Sequence, residues 1–139
     1  MGNAKKYVCV ANFGVKEAFD NKYKSSLPKV MKAAAEKAIN ASSKLTTKPP
    51  ADKKEEGFYL DGSLSSLSKT ASGNAINLEA KIMAALATWP KKAMFAFPSA
   101  ESELQGADQK KLDRDVEDLI KGLMDGVMET AIKELEKRA

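Results

Sequence analysis

Apolar residues recur along this chain with two different periods, and the changes of period mark out the elements. From Gly57 onward, Phe58, Leu60, Gly62 and Leu64 alternate with Tyr59, Asp61, Ser63 and Ser65, the period-two pattern of a half-buried strand. Ile76, Leu78, Ala80, Ile82, Ala84 and Leu86 then alternate with Asn77, Glu79, Lys81 and Met83. Lys69 to Gly73 supplies turn chemistry between the runs, so a β-hairpin is expected, with its apolar sides on one sheet face. Residues 75–88 also contain many good helix formers, but a helix would scatter Ile76, Leu78, Ile82 and Leu86 over more than one side. A strand keeps them together.

Spacings of three and four occur twice. Leu27, Val30, Met31, Ala34, Ala38 and Ile39 form one apolar stripe, with Lys29, Lys32, Glu36 and Lys37 mostly opposite. Ser25, Ser26 and Pro28 ahead of it suit a helix start, because serine accepts orphan amide bonds and proline fits the first turn. An amphipathic helix ending near Ser43 is expected. Later, Leu112, Val116, Leu119, Ile120, Leu123, Val127, Ala131 and Leu135 trace one face of a long helix capped by Asp108. Gly122 and Gly126 share a side of that helix, each costing about 1 kcal/mol relative to alanine. They mark either a close approach by another element or a tolerated weakness.

Shorter signals complete the chain. Tyr7 to Phe13 reads as a strand stopped at Gly14, whereas Val15 to Lys24 shows no clear period. Trp89-Pro90-Lys91-Lys92 turns the chain, since proline cannot donate within a central strand, and Met94 to Phe97 becomes a third antiparallel neighbour. Ser99 to Gln109 is a polar link. Lys44 to Glu56, with Pro49-Pro50 and almost nothing apolar, is an exposed, mobile loop. The order is β-α-β-β-β-α, and the expected architecture is α+β: a two-layer sandwich, with a mostly antiparallel four-stranded sheet and both helices on one face. A chain of 139 residues suits one domain spanning 1–139.

Composition narrows the class without naming a function. A hydrophobic fraction of 43% and a charged fraction of 30% are those of a globular chain. The longest apolar stretch, Ile82 to Trp89, is far short of the roughly 20 residues a membrane helix needs. The first residues, Met-Gly-Asn-Ala-Lys-Lys-Tyr, hold no secretory apolar core. Periplasmic or secreted placement is therefore expected where an upstream signal peptide has been removed, and cytoplasmic placement otherwise. Residues 1–56 carry a net charge of +6 and the remainder −2. Such a front half attracts anionic partners, but only Arg114 and Arg138 offer the planar fork that reads bases or grips phosphates in pairs.

Catalytic and cofactor chemistry finds no footing. There is no histidine, and Cys9 is the sole cysteine, so imidazole and multi-thiolate metal sites are excluded. Cys9 lies in the run Tyr7 to Ala11 and is expected to be a small buried hydrophobe. Asp61 is the best carboxylate candidate, yet with Tyr59 and Ser63 it falls on the polar strand face. Asp113, Asp115, Glu117 and Asp118 cluster at a helix start, where negative charge complements the dipole. Gly57 to Gly62 lacks the Gly-Lys-Ser/Thr ending of a phosphate loop. The aromatics Tyr59, Trp89, Phe95 and Phe97 are expected to pack the core and anchor a turn rather than stack bases.

The strand Phe58-Tyr59-Leu60-Asp61-Gly62-Ser63-Leu64, followed by Ile76-Asn77-Leu78-Glu79-Ala80-Lys81-Ile82 and preceded by an amphipathic helix, resembles small α/β domains of the bacterial envelope. These are the auxiliary lipoproteins of transport systems, the amino-terminal domain of the Tol translocation protein and the periplasmic domain of curli secretion channels. The likeness covers about residues 25–98. It implies a non-enzymatic periplasmic adaptor and assigns no functional residue.

The resulting expectation is a binding domain, not an enzyme, of the bacterial cell envelope or secreted space, needing no cofactor and acting through a sheet face or edge. Tyr59, Asp61, Ser63, Trp89, Lys91 and Lys92 form its interaction surface, and the partner is another protein or an envelope component. The alternative is a cytoplasmic lysine-rich nucleic-acid binder.

Overall fold

The two alternating runs do pair as an antiparallel hairpin. In the computed structural model, which describes residues 5–51, 55–73 and 75–139, β4 (Gly57–Ser72) lies against β5 (Ala75–Trp89) in register from Gly57↔Trp89 to Ser72↔Ala75. The elements before the hairpin are β1 (Lys6–Val10), β2 (Gly14–Val15), α1 (Tyr23–Ala41) and β3 (Leu45–Thr46). After it come β6 (Met94–Ala96), β7 (Ser99–Ala107), a 3-10 turn at Gln109–Lys111 and α2 (Leu112–Arg138). Among the described residues one sheet runs β3-β1-β4-β5-β6, with β2 also on β4 and β7 also on β5.

The α+β layering with both helices on one face is as expected; the strand count is not. Seven strands replace four among the described residues, and β1 pairs in parallel with both β3 and β4. These parallel pairs follow from α1, a crossover helix that returns the chain to the edge it left. All six inward residues of β5, Ile76 to Leu86, are buried. They meet Leu27, Met31, Ala35 and Ile39 of α1 and Val116, Ile120, Leu123, Met124, Val127, Met128, Ala131 and Leu135 of α2 in one core.

Several boundaries move, each for a physical reason. β4 continues through Ser72 instead of turning from Lys69, because a register shift between Leu64 and Ser66 inserts Ser65 as a bulge. The inward set therefore passes from Leu60, Gly62 and Leu64 to Leu67. The expected polar link Ser99 to Gln109 is mostly strand: β7 pairs with β5 from Ser99↔Met83 to Ala107↔Ile76. Ala100, Leu104 and Ala107 mark its inward side, and Gly106, at φ 74°, takes the left-handed conformation that lets a second bulge form.

The segment 44–56 is not wholly an exposed loop. Leu45 is fully buried in β3, while residues 52–54 of the expected loop lie outside the described residues. α1 begins at Tyr23, ahead of the serines, so Pro28 sits inside the helix rather than in its first turn. Asp108 caps as expected, accepting from the Lys110 amide at 2.9 Å. Neither α2 glycine marks a close approach: a β-carbon on Gly122 would meet nothing, and one on Gly126 would reach Ala100 Cβ at 3.9 Å.

Candidate binding face of the sheet

Because α1 and α2 cover one face, the other is left to whatever β1, β4 and β5 display. Along β4 the outward row is Gly57, Tyr59, Asp61 and Ser63, and across the ladder it faces Trp89, Ala87, Ala85 and Met83 of β5. On the far side of β4, Cys9 of β1 is the register partner of Tyr59. Cys9 is thus half-buried on the outer face and not in the core, since Val8 takes the inward place beside it.

Aromatic rings cluster at one end of this face. Tyr7 and Trp89 meet edge to face with centroids 5.0 Å apart, a favoured arrangement of ring quadrupoles. Burial, and then the adjacent Cys9 thiol, push the Tyr7 hydroxyl up to about 12. Tyr59 is raised for the same first reason, with Asp61 and Cys9 adding to it. Both phenols stay neutral at physiological pH and serve as hydrogen-bonding groups. Lys92, held in the left-handed region at φ 58°, places its Nζ 4.6 Å from the Tyr59 ring centroid.

Four of the six sequence candidates line two depressions. Asp61 and Ser63 line an open cleft of about 510 Å³ with Asn12, Lys16, Met83 and Phe97. Asp61 Oδ1 also accepts from the Gly62 amide at 2.7 Å, which fixes the carboxylate at the rim. Trp89 and Lys91 instead line a groove of about 450 Å³ at the end of the sheet, with Lys6, Phe58 and Arg138. Tyr59 and Lys92 touch each other.

Sequence reasoning missed Tyr7, Met83 and Phe97. Met83 is 41% exposed and Phe97 64% exposed, so Phe97 does not pack the core, and Tyr59 faces outward likewise. The parity of Met83 in the β5 alternation was the available signal. Phe95 does pack inward, against Phe58 at 6.1 Å and under the Arg138 guanidinium at 4.0 Å. Among the described residues no group of three or more Cys, Asp or Glu converges as a metal site. No helix of the described residues is long and apolar enough to cross a membrane.

No family model matches the chain, and no curated protein does. Solved structures share its fold. A Xanthomonas campestris protein of the family of unknown function DUF330 superposes with a TM-score of 0.70 at 10% identity, over 98% of this chain and 89% of that one. A hypothetical protein from Chlamydia trachomatis gives 0.66 at 11% identity, over 92% and 96%. A minor lipoprotein from Acinetobacter baumannii gives 0.56 at 5% identity, over 96% and 94%. The likeness to small bacterial envelope domains therefore holds at the level of the fold.

Proposed function

We propose that this protein is a non-enzymatic binding domain of the bacterial cell envelope, periplasmic or secreted, that engages another protein or an envelope component through the uncovered face of its sheet. The observation that carries this reading is the cleft beside Asp61 and Ser63, where Met83 and Phe97 stand in solvent next to fixed polar groups. Large apolar side chains gathered on one face beside placed acceptors are what a recognition surface needs. The envelope setting is supported by the fold shared with a bacterial lipoprotein.

A photo-reactive amino acid placed at Met83 or at Phe97, in the cells that make the protein, is expected to give discrete cross-linked products in the envelope fraction. The same residue at Lys133, on the exposed side of α2, is expected to give none. Products from Lys133 alone, or residence of the protein in the cytoplasmic fraction, would overturn the proposal.

A further inference from the structure

The two edges of the sheet carry opposite charge. At the β3 edge, Lys5, Lys6, Lys44 and Lys48 cluster around β1 and β3, which contain no acid. The helix over that edge, α1, holds four lysines and one glutamate. At the other edge, β7 contributes Glu101 and Glu103 and no cation. The helix over it, α2, holds eight acids against five cations. Glu103 also sits directly opposite Glu79 across the β5–β7 ladder, a like-charge pair that costs stability unless a cation covers it.

The acidic edge is open. β7 pairs with β5 on one side and with no strand on the other among the described residues, leaving a row of backbone donors and acceptors to be met. Between β7 and α2 runs a groove of about 520 Å³, where half-buried Leu104 and Leu119 flank Gly122 and Gly126, and Asp118 stands at its rim. Since β3 is parallel to β1, β1 to β4, and both β4 and β7 run against β5, the two edges point the same way. A copy added at one edge therefore presents a fresh edge of the same kind for the next.

We propose that the protein associates head to tail with further copies of itself, the acidic β7–α2 edge of one copy seating against the lysine-rich β1–β3 edge of the next. Such a contact uses two different patches on each copy, so it builds a ring if the rotation closes and a filament if it does not. Attraction between exposed patches makes it sensitive to salt.

Sedimentation velocity on the full chain tests this with two charge-swapped variants. Glu103→Lys with Asp118→Lys makes both edges basic; Lys44→Glu with Lys48→Glu makes both acidic. All four side chains are exposed, and Glu103→Lys also relieves the pairing with Glu79, so the fold is retained, as far-ultraviolet circular dichroism will verify. In about 0.02 M salt the wild type is expected to exceed the 15.0 kDa monomer at least about twofold and to return to it above about 0.5 M salt. Each variant alone is expected to stay monomeric, and an equimolar mixture to restore assembly. A wild type that is monomeric at low salt, an assembly that either variant leaves intact, or a mixture that does not assemble would each overturn the proposal. A monomer that instead binds a lysine-containing peptide, with amide shifts confined to residues 99–107, would assign the edge to a foreign strand and overturn it too.

Discussion

The ring of Phe13 occupies the space that a side chain on Gly62 would need. A β-carbon built on Gly62 would lie 2.9 Å from Phe13 Cδ2 and closer still to Cε2, and Phe13 is itself 1% exposed. Gly62 belongs to the inward row of β4, so its missing side chain is what lets the segment after β1 fold its phenyl under the sheet. Gly62→Ala is therefore expected to destabilise the protein by about 1–3 kcal/mol through overpacking. Phe13→Ala is expected to cost about 3–5 kcal/mol through the cavity it leaves. Combining Gly62→Ala with Phe13→Leu should cost less than the sum of the two single changes. Urea denaturation of the wild type, Gly62→Ala, Phe13→Ala, Phe13→Leu and the double variant measures these values.

Two side-chain bonds latch the helices at their ends. Tyr23 Oη donates to Asp113 Oδ1 at 2.7 Å where both helices start, and Ser42 Oγ donates to Glu136 Oε2 at 2.6 Å where both finish. α1 and α2 therefore run side by side in the same direction. Ser42 is 9% exposed, and Ser42→Ala is expected to cost about 1–2 kcal/mol because the half-buried Glu136 carboxylate and the Lys44 amide each lose a partner. Thermal unfolding of the variant provides the check.

The other latch responds to pH at both extremes. Lys22, and then Tyr23, hold the Asp113 carboxyl below its ordinary value of 3.8. A depressed carboxylate stabilises the fold above its unfolded pKa and loses that contribution as pH falls through the folded one. Burial first, and the bond to Asp113 second, raise the Tyr23 phenol above 10.0. Its contribution is present below that value and is lost as pH rises through the folded pKa. The difference in melting temperature between the wild type and Asp113→Asn is thus expected to be steady between about pH 5 and 9 and to shrink in acid. A difference that grows in acid would contradict the assignment.

How far the fold could be read from the sequence depended on whether one side of each element carried strong markers. Six inward residues of β5 alternate without a break, and the α2 stripe is equally continuous, so both were legible. β7 offers only Ala100, Leu104 and Ala107 inward, and its bulge at Gly106 throws the last of these out of phase. An edge strand with so small a buried side reads as a polar link. Ser65 hides the second half of β4 in the same way, by moving Leu67 off the parity of Leu64. The candidate face was half legible: Tyr59, Asp61 and Ser63 lie where the alternation puts them. Cys9 and Phe97 read as inward because large or apolar residues are often buried, yet that rule runs one way and a folded surface keeps many of them.

The sheet-face reading predicts no affinity for nucleic acid. Lys92 covers a face of Tyr59 and Trp89 meets Tyr7 edge to face, so both rings already make contacts within the protein. Arg114 and Arg138 lie near opposite ends of α2, about 36 Å apart along its axis. Labelled single-stranded and duplex DNA and RNA are expected to migrate unchanged in the presence of the protein at low salt. A retarded band that disappears steeply with added salt would favour the nucleic-acid reading instead.

Hydroxyl-radical footprinting, comparing the purified protein with the same protein inside intact cells, addresses the binding face most directly. In the purified protein, Met83 and Phe97, at 41% and 64% exposure, are expected to oxidise rapidly while fully buried Met31 does not. Inside cells both rates should fall several-fold relative to Ile132 on the helical layer, as a partner covers the sheet. Unchanged rates at Met83 and Phe97 would mean that nothing docks there, and the account of this protein as a sheet-face binder would fail.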